Sequence, residues 1–385
     1  MYSLLIVTAL SFGFADNAAP TEEAVDVGRM LPGLHLLEPI WSSEVVHGES
    51  VIPLQWKENG PIEGRLAFTV AELLEVKTAD GKRSLVVGRD LRLAEDGRTL
   101  IFSVDAELPF LKEADLYPPA DSPNSYKHRV GHPEQNLLYH QGHWFHDRQI
   151  EVTYRRKEEW SGPVPRFDEK ALPRTIARLR AGKRLSIGVS GDSITEGYNA
   201  SGFASQETPA APFQPAYSEL VAAQLAATCK SEITLRNRAI AGWSITNGHA
   251  DLEKLLADKP NLVVVAYGMN DVGRRDPEWF KKQVASLIER IHTADPEIEI
   301  ILVAPMLGNG EWIHTPPEMF PKYRDALASL AGPGVALADL TAIWETLLRR
   351  KQHLDMTGNG LNHPNDFGHR LYAQAVLSLL VPPAK

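Results

Sequence analysis

The feature that most constrains the fold is a change of period partway along the chain. After about residue 173, apolar runs of strand length alternate with helical stretches. Arg184-Leu-Ser-Ile-Gly-Val189, Ile233 to Ile240, Asn261 to Tyr267, Ile298 to Ala304 and Val335 to Asp339 read as strands. Ala216 to Thr228, His249 to Ala257, Pro277 to Thr293, Pro317 to Leu330 and Phe367 to Leu380 read as helices. Strands that are apolar on both faces, separated by helices, predict a parallel sheet covered on both sides. In such sheets, chemistry gathers at the carboxyl ends of the strands.

The first half has a different rhythm. Short alternating segments fall between turn signals at Asn59-Gly60, Asp80-Gly81 and Asp96-Gly97, where tight hairpins need residues that tolerate positive φ. Arg65 to Val70, Ser84 to Val87, Thr99 to Val104 and Ile150 to Arg155 are the predicted strands. The pattern predicts an antiparallel β-sandwich over about 30–160. Trp160-Ser-Gly-Pro-Val-Pro165 opens a linker over 161–172, and the α/β domain occupies 173–385.

Composition removes several classes. The net charge is −9 and there is no basic stripe, which argues against a nucleic-acid partner. A single cysteine, Cys229, cannot form an intramolecular disulfide; it reads as a small apolar residue of an alanine-rich helix. Leu4 to Phe14 is a mostly apolar run with small residues at Gly13 and Ala15, the pattern of a signal peptide over 1–15, although no Lys or Arg precedes it. That run is too short to span a bilayer, and no other segment is a candidate. The expectation is a secreted or periplasmic protein.

The chemistry-bearing residues follow the strands. Gly191-Asp192-Ser193-Ile194-Thr195 comes straight after the first strand. Thr195 stands where an α/β-hydrolase elbow needs glycine, and no glycine-rich phosphate loop occurs. Gly242 follows the second strand, Gly268-Met-Asn270-Asp271 the third, and His363-Pro-Asn precedes the last helix. Four such points in this order resemble the SGNH (GDSL-like) hydrolase superfamily over roughly Leu185 to Leu380. The resemblance implies a flavodoxin-like three-layer fold without a cofactor or metal. It also implies Ser193 as nucleophile, His363 as its base, and an oxyanion hole from the Ser193 and Gly242 N–H groups and the Asn270 amide. Asp192 and Asp271 read as carboxylates that structure their loops.

One position departs from the family pattern. The family carries Asp three residues before the histidine, where this chain has Gly360. Asp355, from the same loop, is one candidate to orient His363; a Ser–His dyad oriented by backbone carbonyls is the other. Asp366 reads as a helix cap and Asn362 as unable to supply charge. His140, His143 and His146 have a spacing that could hold a metal on a helix, but their setting favours a packed loop facing the cleft. A β-sandwich ahead of such a domain resembles bacterial carbohydrate esterases. The implied substrate is an acetylated polysaccharide, with Trp144, Trp243 and Trp312 as aromatics that could stack on sugars. A lipase or lysophospholipase and a non-catalytic glycan-binding protein are the alternatives.

Overall fold

The computed structural model describes residues 33–204 and 208–383; the apolar run at the N-terminus lies outside them. The first part of the chain carries β1 (Val45–Val51), β2 (Leu54–Gln55), β3 (Ile62–Arg65), β4 (Val70–Thr78), β5 (Leu91–Leu93), β6 (Thr99–Phe102), β7 (Leu111–Lys112), α1 (Glu113–Leu116), β8 (Ser125–Tyr126), β9 (Leu137–Leu138) and β10 (Ile150–Arg156). One sheet has the order β1-β10-β4 and a second the order β5-β6-β3-β2-β7; β8 and β9 make a separate ribbon. Pairing is antiparallel except between β2 and β7.

Two predicted strands fail here for physical reasons. Arg65 to Val70 is not one strand. Its middle, with Leu66, Ala67 and Phe68 all buried, is where the chain crosses from β3 in one sheet to β4 in the other. Ser84 to Val87 makes only isolated bridges, to Lys77 and Leu91, because the carboxylate of Asp90 takes the Val86 N–H at 2.8 Å and curls the segment.

The second part runs α2 (Pro173–Arg180), β11 (Leu185–Gly191), α3 (Ser193–Glu196), α4 (Tyr217–Cys229), β12 (Ile233–Asn237), α5 (Ile245–Ala257), β13 (Leu262–Ala266), α6 (Pro277–Ala294), β14 (Glu299–Ala304), α7 (Phe320–Ala328), β15 (Val335–Asp339), α8 (Leu340–Leu348) and α9 (Asp366–Leu380). All five strands are parallel, in the order β12-β11-β13-β14-β15. That is the flavodoxin-like order, and its direction reverses at β11. Every residue of β13 and β14 is buried, which is why neither strand alternates in sequence. Two helices, α2 and α8, have no clear signal in the sequence pattern. Prolines and short length hide them, yet α2 is fixed by the buried Glu299 carboxylate, which accepts from the Arg174 and Thr175 N–H groups at 2.9 and 2.7 Å.

The two parts share one continuous apolar core, from Leu36 to Leu380. They are also joined by buried polar contacts. Lys351 Nζ meets Glu49 Oε1 at 2.6 Å with both side chains fully buried. Glu49 further accepts from the Ala67 N–H at 2.7 Å and from the Tyr154 hydroxyl at 2.6 Å. A buried ion pair satisfied this way is costly to break from one side only. Glu49→Ala is therefore expected to lower the unfolding free energy by about 3–5 kcal/mol, measured by urea denaturation.

Candidate active site

The residues singled out in sequence converge at the carboxyl end of the parallel sheet. Ser193 opens α3 directly after β11, at the strand where the sheet order reverses. Asp192 caps this short helix by accepting from the Ile194 N–H at 3.0 Å. Ser193 is buried against the sheet, and its Oγ lies 2.8 Å from His363 Nε2. His363 stands in the loop before α9.

The third member is Asn199. Its Oδ1 lies 2.8 Å from His363 Nδ1. The orientation of this amide follows from its other end. Nδ2 donates to the Gly142 carbonyl at 2.7 Å and to the Gly358 carbonyl at 3.0 Å. With two acceptors facing the nitrogen, the oxygen must face the histidine. Nδ1 then carries the proton, and Nε2 is left to accept from the Ser193 hydroxyl. Asn199 has φ 64°, a left-handed conformation that asparagine tolerates better than most residues.

Asp355 does not take this place. Its carboxylate accepts from the Ile52 N–H at 2.9 Å and the Gln352 N–H at 3.1 Å, and Lys351 Nζ lies 3.7 Å away. It pins the histidine loop to the chain just after β1 instead of orienting the imidazole. Asp366 is not the cap of α9 either: Asn365 is, through the Gly368 N–H at 3.0 Å, while Asp366 accepts from the Ser201 N–H at 2.8 Å.

The absence of Asp before the histidine has a steric cause. Gly360 has φ 89°, and a Cβ there would lie 2.3 Å from the Leu138 carbonyl oxygen and 2.9 Å from the Phe145 ring. Both belong to the first part of the chain, which fills the space an aspartate would need. That part also touches the loop through the His140 N–H, which donates to the Asn359 carbonyl at 3.2 Å, and through Gln149 Nε2, which donates to the Thr357 carbonyl at 2.8 Å.

The oxyanion donors are set by a second group of contacts. Gly242 sits in the turn after β12 with φ 79°, and no atom lies near its Cβ position. The Glu196 carboxylate accepts from the Ala241 N–H, tying that turn to α3. Asn237 Nδ2 donates to the Thr195 carbonyl at 2.7 Å across the same gap. Asn270, exposed after β13, donates through Nδ2 to the Trp243 carbonyl at 2.8 Å. One amide hydrogen is thereby held, and the second remains available for a ligand oxygen. Glu196 and Asn237 were not foreseen. Their roles depend on which turns adjoin in space, a fact the local sequence does not carry.

Electrostatics favour a neutral base. Burial lowers the His363 pKa below its usual 6.5, and nearby His369 acts in the same direction. Burial raises Asp192 to about 7 and Asp271 to about 6. Asp271 accepts from the Ile245 N–H at 3.2 Å, so both carboxylates structure the loops around the serine.

The histidine-rich run does not converge. His140 stacks on Trp144 at 3.9 Å, His143 Nδ1 meets Asp147 at 2.7 Å, and His146 Nε2 donates to the Ala211 carbonyl at 2.7 Å. Among the described residues, His35, Glu38 and His47 bring metal-capable atoms within 4.8 Å of one another. Their rings stack at 3.6 Å and 7°, so their lone pairs run side by side instead of meeting at one point. A cavity of about 300 Å³ beside Arg174, Arg178 and Pro260 includes none of the motif residues.

The family model for the GDSL-like lipase/acylhydrolase family matches residues 189–371. The match covers just under half of the chain, which is similar to that family over this span. No curated protein matches the chain. Among solved structures it is similar to an acetylxylan esterase from Geobacillus stearothermophilus, at 22% identity and a TM-score of 0.40, over 51% of this chain and 94% of that one. It is similar to a two-domain esterase active on acetylated mannans, at 22% identity and a TM-score of 0.43, over 58% of each chain. It is similar to an alpha/beta hydrolase from the metagenome of Lake Arreo, Spain, at 22% identity and a TM-score of 0.40, over 50% of this chain and 94% of that one. The matched span includes Ser193, Gly242, Asn270 and His363, and the geometry adds Asn199 to give a candidate Ser-His-Asn set.

In the wild type, the acid limb of kcat/KM should fall below the imidazole's usual 6.5, because burial lowers the pKa of His363 and the base is lost only as pH drops through that lowered value. Asn199→Ala should lower kcat by about 10- to 10³-fold. Asn199→Asp should move the acid limb upward, yet still lose activity at pH 7, since its second oxygen would face two carbonyls. An acid limb unchanged in Asn199→Asp would refute this orientation. Gly360→Asp, which restores the family's residue, should destabilise the fold by about 2 kcal/mol or more through strain and overlap, read as a drop in Tm with no gain in kcat.

Proposed function

We propose that the chain is an exported carbohydrate esterase that removes O-acetyl groups from a polysaccharide. The recess beside His363 is the observation that carries this reading. It measures about 60 Å³ and is lined by Tyr139, Gln141, His143, Tyr198 and Phe203, among others. That volume is well below the roughly 300 Å³ at which pockets for larger ligands begin, so the recess, which reaches His363 and Asn199, suits a small group better than a long acyl chain. Its amide, imidazole and phenol groups suit sugar hydroxyls. The apolar run Leu4 to Phe14 supports export toward a polymer outside the cytoplasm. Among the described residues, no helix is long and apolar enough to cross a membrane.

The steps follow from the geometry. Ser193 Oγ attacks the acetyl carbonyl carbon while its proton passes to His363 Nε2. The carbonyl π electrons move to oxygen, where the N–H groups of Ser193 and Gly242 and the Asn270 amide receive them. Collapse breaks the bond to the sugar oxygen, which takes the proton from Nε2. Water then gives a proton to His363 and attacks the acetyl-serine, releasing acetate and restoring the hydroxyl. Asn199 holds the Nδ1–H throughout.

Acetate release from acetylated xylan and mannan, set beside hydrolysis of long-acyl esters, tests the reading. Wild type should release acetate and leave long-acyl esters nearly untouched, and Ser193→Ala should lose about 10⁴-fold or more in kcat. Activity confined to long acyl chains would replace the glycan reading with a lipase.

A further inference from the structure

An aromatic strip runs outward from the recess, built jointly by the two parts of the chain. The ring of Tyr198 lies 5.5 Å from His363, and Tyr139 lines the same recess. From Tyr139 the strip continues to Tyr126 at 5.3 Å, Trp312 at 5.2 Å, His314 at 5.0 Å and His128 at 5.3 Å. Tyr126 stands on the β8–β9 ribbon, while Trp312 and His314 come from the loop that follows β14.

The underlying backbone is firmly joined. The Val130 N–H donates to the Glu311 carbonyl at 2.8 Å, and the Ile313 N–H to the His128 carbonyl at 3.2 Å. Arg129 pairs with Glu311 at 2.9 Å and covers the Tyr117 ring at 3.5 Å. The loop is tied to the histidine as well: the Asn309 N–H donates to the Leu361 carbonyl at 2.7 Å, and its side-chain Nδ2 to the Gly360 carbonyl at 3.0 Å.

This rim is apolar where a surface would ordinarily be polar. Tyr126 is 42% exposed, Val130 53% and Ile313 49%. Single exposed apolar residues need no account, but a joined row opening onto a catalytic recess does. The rings meet edge to face, Tyr126 at 71° to Tyr139 and 81° to Trp312. Imidazole nitrogens of His128 and His314, 3.2 Å apart, interleave hydrogen-bonding groups with the rings. Apolar ring faces flanked by polar atoms match a pyranose, whose C–H faces are apolar and whose edge carries hydroxyls.

We infer that Tyr126 and Trp312 form a subsite for the sugar residues flanking the acetylated one, so that the enzyme grips the polymer backbone beyond the reacting unit. This rests on the glycan reading above. It gives the first part of the chain a share in choosing the substrate.

The test compares Tyr126→Ala and Trp312→Ala with wild type on acetylated mannan and xylan and on p-nitrophenyl acetate, a substrate too small to reach the rim. Tyr126→Ala should raise KM for the polymer it prefers about 5- to 20-fold, consistent with a stacking loss of about 1–2 kcal/mol, with kcat and p-nitrophenyl acetate turnover changed less than twofold. Titration of Ser193→Ala with deacetylated oligosaccharides should show the same loss of affinity when Tyr126→Ala is added. Should Trp312→Ala prove unstable, Tyr126→Ala alone decides. Equal effects on polymer and small ester, or none on the polymer, would overturn the subsite while leaving the esterase intact. A wild type that cleaves p-nitrophenyl acetate but no acetylated polymer would instead remove the glycan reading itself.

Discussion

An amide has a donor end and an acceptor end, and Asn199 uses both. Its oxygen takes the Nδ1–H of His363, and its nitrogen is spent on the carbonyls of Gly142 and Gly358. The tautomer of the base, and with it the direction in which the Ser193 proton can move, depends on that orientation. Gly142 lies in the first part of the chain and Gly358 in the histidine loop. The amide is thus the point where three segments distant in sequence agree on one geometry. A carboxylate would break the agreement, because it could satisfy the histidine only by turning an anion toward two carbonyl oxygens.

The same dependence explains why the first part of the chain is not a detachable module. Its Leu138 carbonyl fills the space beside Gly360, its Ile52 N–H holds Asp355, and Glu49 neutralises the buried Lys351 at the start of the loop. Asn365 Nδ2 reaches Ser50 at 3.0 Å, and Arg370 of α9 bonds the Gly48 carbonyl at 2.7 Å. Few of these contacts are apolar alone; most are directional. They fix the loop more narrowly than packing would, since a hydrogen bond loses its strength steeply with angle.

This also sets what the sequence could reveal. Buried parallel strands are long apolar runs, so the sheet and its helices were legible, and the motif residues Ser193, Gly242, Asn270 and His363 lie beside recognisable strand ends. Asn199 was not legible. It belongs to no strand or helix, and it becomes a partner of His363 only because the chain turns back after α3. Asp355 was a reasonable candidate by sequence distance, but burial beside Lys351 and the Ile52 N–H gave its carboxylate other work. The crossing at Leu66 to Phe68 was missed because a buried apolar run looks the same whether it continues a strand or passes between two sheets.

A neutral third member carries a chemical consequence. When His363 accepts the serine proton, an imidazolium forms in a partly buried site with only an amide dipole beside it, where a carboxylate would have offered a full charge. The developing oxyanion is then the principal counter-charge, and the two must form together in a low-dielectric pocket. That arrangement leaves a weaker base than a carboxylate-backed histidine, since burial already lowers its pKa. The same nitrogen, once protonated, is a correspondingly stronger acid and returns its proton readily to the departing alkoxide.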